Sequence, residues 1–369
     1  MNQKKLRILG IRGIPAIHGG FETFAEHLAI YLRQKGWDVE VYCQVEGAGG
    51  STTDSWDGIT RINIPEPRLD ALGTMRFDWK CIKHASQSKS LVLTLGYNTA
   101  IFGLFLKLKG IPHLMNMDGI EWKRKKWGVF ARIWFYFNEW AGSLLADHLI
   151  ADHPKIQERY SGRRKSSDVT MIPYGADDVT QADELLIKQY GLQANEYAVY
   201  IARPEPENSL FEVVTAFSKT SRGYPLIILS RMMPETNKFH KKVMSEASDE
   251  VQFLGAIHER EIVNALRYFS KYYIHGHTVG GTNPSLVEAL GAGSPVLAHA
   301  NEFNRWVAGE GAHYFNTAEE LETMFDSFVT NQHQLESLRT MSKCRFLDSF
   351  TWDRILSEYE RLLTKYLQS

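Results

Sequence analysis

Short apolar runs alternate with amphipathic stretches along the first half of the chain. Runs at 6–11, 37–43, 91–95, 113–117, 148–151 and 169–172 predict strands. They lack polar alternation, as strands of a parallel sheet covered on both faces do. Between them, 20–34, 72–87, 98–109, 130–145 and 154–160 predict helices; in the first, Phe21, Phe24, Ala25, Leu28, Tyr31 and Leu32 recur at helical spacing.

A polar stretch at 161–167 precedes the last strand of this half, and Pro173 and Gly175 punctuate the chain just beyond it. A second alternating series follows, with strands predicted at 197–202, 226–230, 251–254, 272–275 and 296–298 and a helix at 259–269. The tail, 352–367, predicts an amphipathic helix. The expected organisation is two α/β domains, 1–174 and 175–350, with 351–369 packing back on the first. Ligands of such sheets bind at the carboxyl ends of the strands, so a cleft between the two domains is expected.

Bulk properties narrow the function. The 369 residues suit two domains, and 44% apolar with 23% charged residues is a globular balance. A net charge of −1 argues against a nucleic-acid partner. Cys43, Cys81 and Cys344 are scattered, without metal spacing or a disulfide framework, so a cytoplasmic setting is expected. Arg7 interrupts the first apolar run, which reads as a strand and not as a signal peptide. No uncharged apolar segment reaches the roughly 18 residues that span a bilayer.

The candidate chemistry falls where strands end. Residues 280–297 read as a glycine loop, a short helix and a strand, placing unpaired amides at a helix N-terminus where an anion binds. Glu288 lies about one turn in, within reach of a sugar hydroxyl. Gly19 and Gly20 open the first helix after the first strand, but neither the dinucleotide pattern nor a phosphate loop is present. Asp118 follows a buried strand, where a carboxylate acts as a base, steers a hydroxyl or simply caps a helix. Arg203 follows the first strand of the second half; it suits bidentate phosphate contact, or a local pair with Glu205 or Glu207. His275 and His277 fit a structural or sugar-contacting role better than a metal site, because no third ligand stands out. The Trp122–Trp127 run, with its lysines and arginine and the aromatic residues up to Trp140, suits either an anionic membrane surface or a core helix with a solvated basic turn.

Taken together these motifs resemble glycosyltransferase family 4, of the two-domain GT-B fold. More narrowly they resemble a bacterial rhamnosyltransferase group, through R-G-I-P-x-x-x-G-G-F-E-T at 12–23, D-G-x-E-W at 118–122, P-Y-G-A-D at 173–177 and H-G-H-x-V-G-G-T-N-P-S-L-x-E-A at 275–289. The resemblance spans nearly the whole chain. It implies two Rossmann-like domains facing each other across a cleft, and retaining transfer from a nucleotide-diphospho sugar without a metal or other cofactor. Arg12, Gly19, Gly20, Gly281, Thr282, Asn283, Ser285, Leu286 and Glu288 would bind the donor. Asp118 and Arg203 would be catalytic, and Glu22, Glu121 and Trp122 would meet the acceptor. The narrower resemblance implies dTDP-L-rhamnose as donor and a lipid-linked saccharide as acceptor in bacterial surface polysaccharide synthesis; peripheral membrane contact through 122–140 is expected from the Trp/Lys and aromatic residues there. Two positions depart from the broader family: Gly280 replaces the first Glu of E-x7-E, and Asn208 replaces a lysine five residues after the arginine. Arg12 and Arg231 are weak candidates to replace the missing contacts. A nucleotide-sugar epimerase or hydrolase, and an inactive nucleotide-binding homologue, are the competing readings.

Overall fold

A computed structural model of the protein describes residues 4–17, 19–124, 126–328 and 330–367. Lys125, part of the basic run, lies outside them. The chain divides into two compact units. One contains the described residues up to Lys123, Trp127–Pro173 and the chain from Trp352 onward; the other contains Tyr174–Thr351 with Arg124 and Lys126.

The first unit is built on β1 (Lys5–Leu9), β2 (Asp38–Val45), β3 (Thr52–Trp56), β4 (Ile59–Pro65), β5 (Leu91–Leu95), β6 (His113–Asn116), β7 (His148–Ala151) and β8 (Val169–Met171). Among the described residues these form one sheet in the order β3-β4-β2-β1-β5-β6-β7-β8. Every pairing is parallel except β3 with β4. That hairpin was not expected, because β3 is largely exposed and carries no apolar run. Its turn residues, Asp57 and Gly58, both take positive φ (47° and 71°), the conformation an Asp-Gly hairpin turn adopts.

Helices α1 (Gly20–Gln34), α2 (Ala71–Ala85), α3 (Leu104–Leu108), α4 (Val129–Leu145) and α5 (Pro154–Ser161) connect the strands. The helix expected over 98–109 is instead a 3-10 turn, Ala100–Gly103, followed by the short α3. Gly103 lies against the His113 ring: an added Cβ would stand 3.2 Å from its Cε1. The terminal helix Trp352–Leu367 packs on α1. Tyr359 meets Phe24 at 4.6 Å, the Trp352 ring stacks on His27 at 4.3 Å, and Tyr31 donates to Glu360.

The second unit has β9 (Ala198–Ile201), β10 (Leu226–Leu229), β11 (Val251–Phe253), β12 (Tyr272–His275), β13 (Val296–His299) and β14 (Ala312–Phe315). Their order is β11-β10-β9-β12-β13-β14, all parallel. Successive residues of β9 serve different cores: Val199 packs with Ile227 and Tyr273, while Ala198 and Tyr200 pack with Ile228 and Ile274. Both faces are therefore covered, which explains the uninterrupted apolar strands. The chain order reverses between β9 and β12, the switch point at which open α/β sheets bind ligands.

Candidate functional site

In the first unit, the loop after β1 is held by the helix it leads into. Glu22 Oε1 accepts from the Arg12 amide at 3.2 Å, and Glu26 Oε2 accepts from the Ala16 amide at 2.6 Å. Gly10, at φ 86°, lets the loop cross β5: an added Cβ would lie 2.2 Å from the Leu95 carbonyl oxygen. Gly19 and the Arg12 side chain are exposed, and Gly20 starts α1. Glu22, assigned to the acceptor from sequence, thus also shapes the loop.

Asp118 follows β6 in the left-handed region, at φ 54°. Its amide donates to Asn116 Oδ1 at 3.0 Å, and its own Oδ1 accepts from the Gly119 amide at 2.7 Å. Asn116 is fixed in turn, donating to the Tyr359 hydroxyl at 2.8 Å. Such backbone geometry is costly, and persists where surrounding contacts over-determine it. Tyr97, unremarked in the sequence, accepts the Glu121 amide at 2.8 Å, and Glu121 Oε2 accepts from the Trp127 indole at 3.2 Å. The Trp122 indole donates to Glu139 Oε2 at 2.6 Å, so its N–H is committed inside the unit.

The second unit gathers its candidates at the carboxyl ends of β9 and β12. Arg203 is exposed, and among the described residues no ion pair joins it to Glu205 or Glu207. Its carbonyl accepts from Asn208 Nδ2 at 2.8 Å, closing the turn. Asn208, where the related pattern has a lysine, is therefore a structural brace. The loop after β12 is pressed against the same turn: a Cβ on Gly276 would stand 2.1 Å from the Asn208 carbonyl oxygen. Thr278 ties the two loops by donating its amide and hydroxyl to the Glu207 carbonyl, both at 2.9 Å. The Glu207 side chain is 5% exposed, and neither carboxylate oxygen has a hydrogen-bond partner.

His275 and His277 stack at 4.4 Å with planes 12° apart. Burial drives the His277 pKa down to about 3, and the Arg124 and Arg203 charges add to this. Burial likewise holds His275 far below its ordinary value. Both rings are neutral at physiological pH. Among the described residues no three His, Cys, Asp or Glu side chains are grouped as a metal would require.

The helix after the glycine loop, Pro284–Gly291, differs from expectation at its N-terminus. Its amides are not left unpaired. Pro284 has none, Asn283 Oδ1 accepts from the Ser285 amide at 3.1 Å, and the Leu286 amide reaches the Asn283 carbonyl at 3.1 Å. Asn283 is thus an N-cap, while the helix dipole still favours negative charge there. The Ser285 hydroxyl is taken up by Ile201 O at 3.1 Å and the Tyr273 hydroxyl at 2.5 Å. The Leu286 side chain is in the core. Ser285 and Leu286 therefore position the helix, and their side chains are not offered to a ligand.

Glu288 projects from this helix, 32% exposed at its side chain, with Oε2 2.5 Å from Arg267 Nη2. The Arg267 side chain is 3% exposed. This pairing was not legible in the sequence. It fixes the carboxylate from below and leaves a partly exposed acceptor at the strand ends.

Compared with solved structures, the whole chain has the two-domain GT-B glycosyltransferase fold. Sucrose-phosphate synthase (tll1590) from Thermosynechococcus elongatus matches with a TM-score of 0.81 at 17% identity, over 98% of this chain and 99% of that one. HepE of Anabaena in complex with UDP matches with a TM-score of 0.75 at 15% identity, over 98% and 100%. A UDP-forming α,α-trehalose-phosphate synthase from Burkholderia vietnamiensis matches with a TM-score of 0.73 at 10% identity, over 98% and 100%. Residues 3–177 match the family described as domain of unknown function DUF1972. No curated protein matches the sequence.

Proposed function

We propose that the protein is a retaining glycosyltransferase that uses a nucleotide-diphospho sugar, with the donor held by the second unit. One observation carries this reading. An exposed guanidinium (Arg203) follows β9, and a glycine loop (280–283) and a carboxylate pinned by a buried arginine (Glu288 on Arg267) follow β12, the two strands of the switch point. A guanidinium and loop amides suit a diphosphate, and a fixed carboxylate suits a ribose diol. Structures of HepE with UDP and with UDP-glucose show that this fold accommodates such ligands in another protein.

Breaking the bond between the anomeric carbon and the diphosphate oxygen leaves negative charge on the diphosphate. Arg203 and the loop amides stabilise that charge, each such preorganised contact contributing roughly 10²–10³ in rate. The acceptor hydroxyl attacks the anomeric carbon on the face the diphosphate leaves, and its proton passes to the departing phosphate oxygen. No protein nucleophile is needed, and configuration is retained. Asp118, held rigidly at its strand end, orients the acceptor hydroxyl or the sugar; Gly19 and Gly20 give backbone access to the ligand.

The donor is dTDP-L-rhamnose and the acceptor a lipid-linked saccharide of a bacterial surface polysaccharide. These assignments rest on the sequence motifs and on Gly280 standing where a hexose-contacting Glu is usual. The test is mass spectrometry of products from a panel of nucleotide sugars offered with a lipid-diphosphate saccharide, with the new anomeric configuration read by NMR. A rhamnosylated product of retained configuration is expected. Donor consumption without acceptor would establish a hydrolase or epimerase, and tight nucleotide binding without turnover across the panel an inactive homologue.

A further inference from the structure

The first unit carries a helical face whose large apolar side chains are exposed. On α4 the exposed apolar residues Val129, Phe130, Ile133, Phe137, Trp140 and Leu144 recur at helical spacing and form a stripe; Phe130 is 91% exposed. The opposite side of α4, with Asn138, Ala141 and Gly142, is buried. The neighbouring α3 adds Leu104, Phe105 and Leu108, all exposed. The two helices are joined where Lys107 Nζ donates to the Leu144 carbonyl at 2.7 Å. Phe105 in turn packs on Trp79 of α2 at 4.6 Å, beside a cavity of about 360 Å³ lined by Leu72, Met75, Phe102 and two arginines, Arg68 and Arg76. A contiguous apolar face of this kind marks an interaction site.

We propose that this α3/α4 face docks on an anionic lipid bilayer. The charges around it decide the occupant. Lys107, Lys109 and Arg132 are exposed, α3 has no acidic residue, and the single acid of α4, Glu139, is buried under Arg159 and Arg163. A second copy of the chain would set basic groups against basic groups; lipid phosphates complement them, while the aromatic and aliphatic stripe enters the headgroup region. Phe130, Phe137 and Trp140 lie within the 122–140 stretch that the sequence suggested for membrane contact, and the fold narrows that stretch to its exposed side. Trp122, Trp127 and Trp134 commit their indole N–H groups to Glu139, Glu121 and the Asn98 carbonyl, so the outward stripe of α4 takes over from the Trp/Lys run. The inference is independent of the transfer reaction.

Co-flotation of the full-length protein tests it, using vesicles of phosphatidylcholine alone and of phosphatidylcholine with phosphatidylglycerol. The protein is expected to float with the anionic vesicles and to be released by high salt. The double substitution Phe130→Ser/Ile133→Ser should lower the partition coefficient at least about tenfold, and Arg132→Gln about fivefold. The unfolding midpoint of the double variant should hold, since both side chains point to solvent. Failure of the wild type to float with anionic vesicles would overturn the proposal, as would equal flotation of the double variant. So would a wild-type dimer that the double substitution splits, which would assign the face to a second copy.

Discussion

Replacing Glu288 with alanine separates the structural role of this carboxylate from its proposed role in ligand binding. Its Oε2 lies 2.5 Å from a guanidinium that is 3% exposed. The guanidinium has weaker side-chain neighbours in Ser285, whose Oγ lies 3.4 Å from Nη2, and Tyr273, while among the described residues Arg267 Nε is buried without a hydrogen-bond partner. Removing the partner of a buried charge costs about 3–5 kcal/mol; because Glu288 is a third exposed, about 2–3 kcal/mol is expected here. On the ligand side, loss of a carboxylate–hydroxyl hydrogen bond is worth about 1.5–3 kcal/mol, or roughly 10- to 100-fold in affinity. Arg267→Met removes the buried charge instead. It should leave stability nearly unchanged or raised, yet loosen Glu288 and weaken nucleotide binding. Denaturant unfolding of each variant, with calorimetric titration of a nucleoside diphosphate, reads both effects. The reasoning is refuted if Glu288→Ala binds nucleotide as the wild type does, or if Arg267→Met destabilises as much as Glu288→Ala.

Three further outcomes follow from local geometry. Gly276→Ala cannot be accommodated beside the Asn208 carbonyl, so it should displace the Arg203 turn and raise the donor KM more than it lowers the unfolding midpoint. Glu139→Ala strips a fully buried carboxylate from Arg159, Arg163 and the Trp122 indole, and should destabilise the first unit by about 3–5 kcal/mol in denaturant titrations. His113 is buried, which pulls its pKa from 6.5 to about 4, so the unfolded chain binds the proton first as the pH falls. Stability should therefore drop between about pH 6.5 and 4 and level off below, by on the order of 3 kcal/mol. Unfolding midpoints of His113→Gln across that range should show a shallower slope.

The parallel sheets were legible because β5, β7, β9 and β10 are short, buried apolar runs with no rival reading. The β3–β4 hairpin was not, because Thr52–Trp56 buries almost nothing and its one signal was the Asp57-Gly58 pair. At the glycine loop, residue types that advertise a helix start also consume its amides: Pro284 has no N–H to offer, and Asn283 caps Ser285. That satisfaction was readable from Asn-Pro. Contacts across the fold lay beyond local pattern. Arg267 reaches Glu288 from a neighbouring helix, and Tyr97 reaches Glu121 from a different strand end. Nothing in local spacing distinguishes these side chains from ordinary surface or core positions. The α4 stretch was legible in part: its aromatic residues suited a membrane surface or a core helix, and only the fold separates its exposed side from its buried one.

The central claim is that a diphosphate sits on the strand ends of β9 and β12. A crystal structure of the protein with dTDP tests it directly. The account predicts the diphosphate within hydrogen-bonding distance of Arg203 and the 281–283 amides, with the ribose hydroxyls on Glu288. A nucleotide bound elsewhere, or bound with Arg203 and Glu288 untouched, would contradict it.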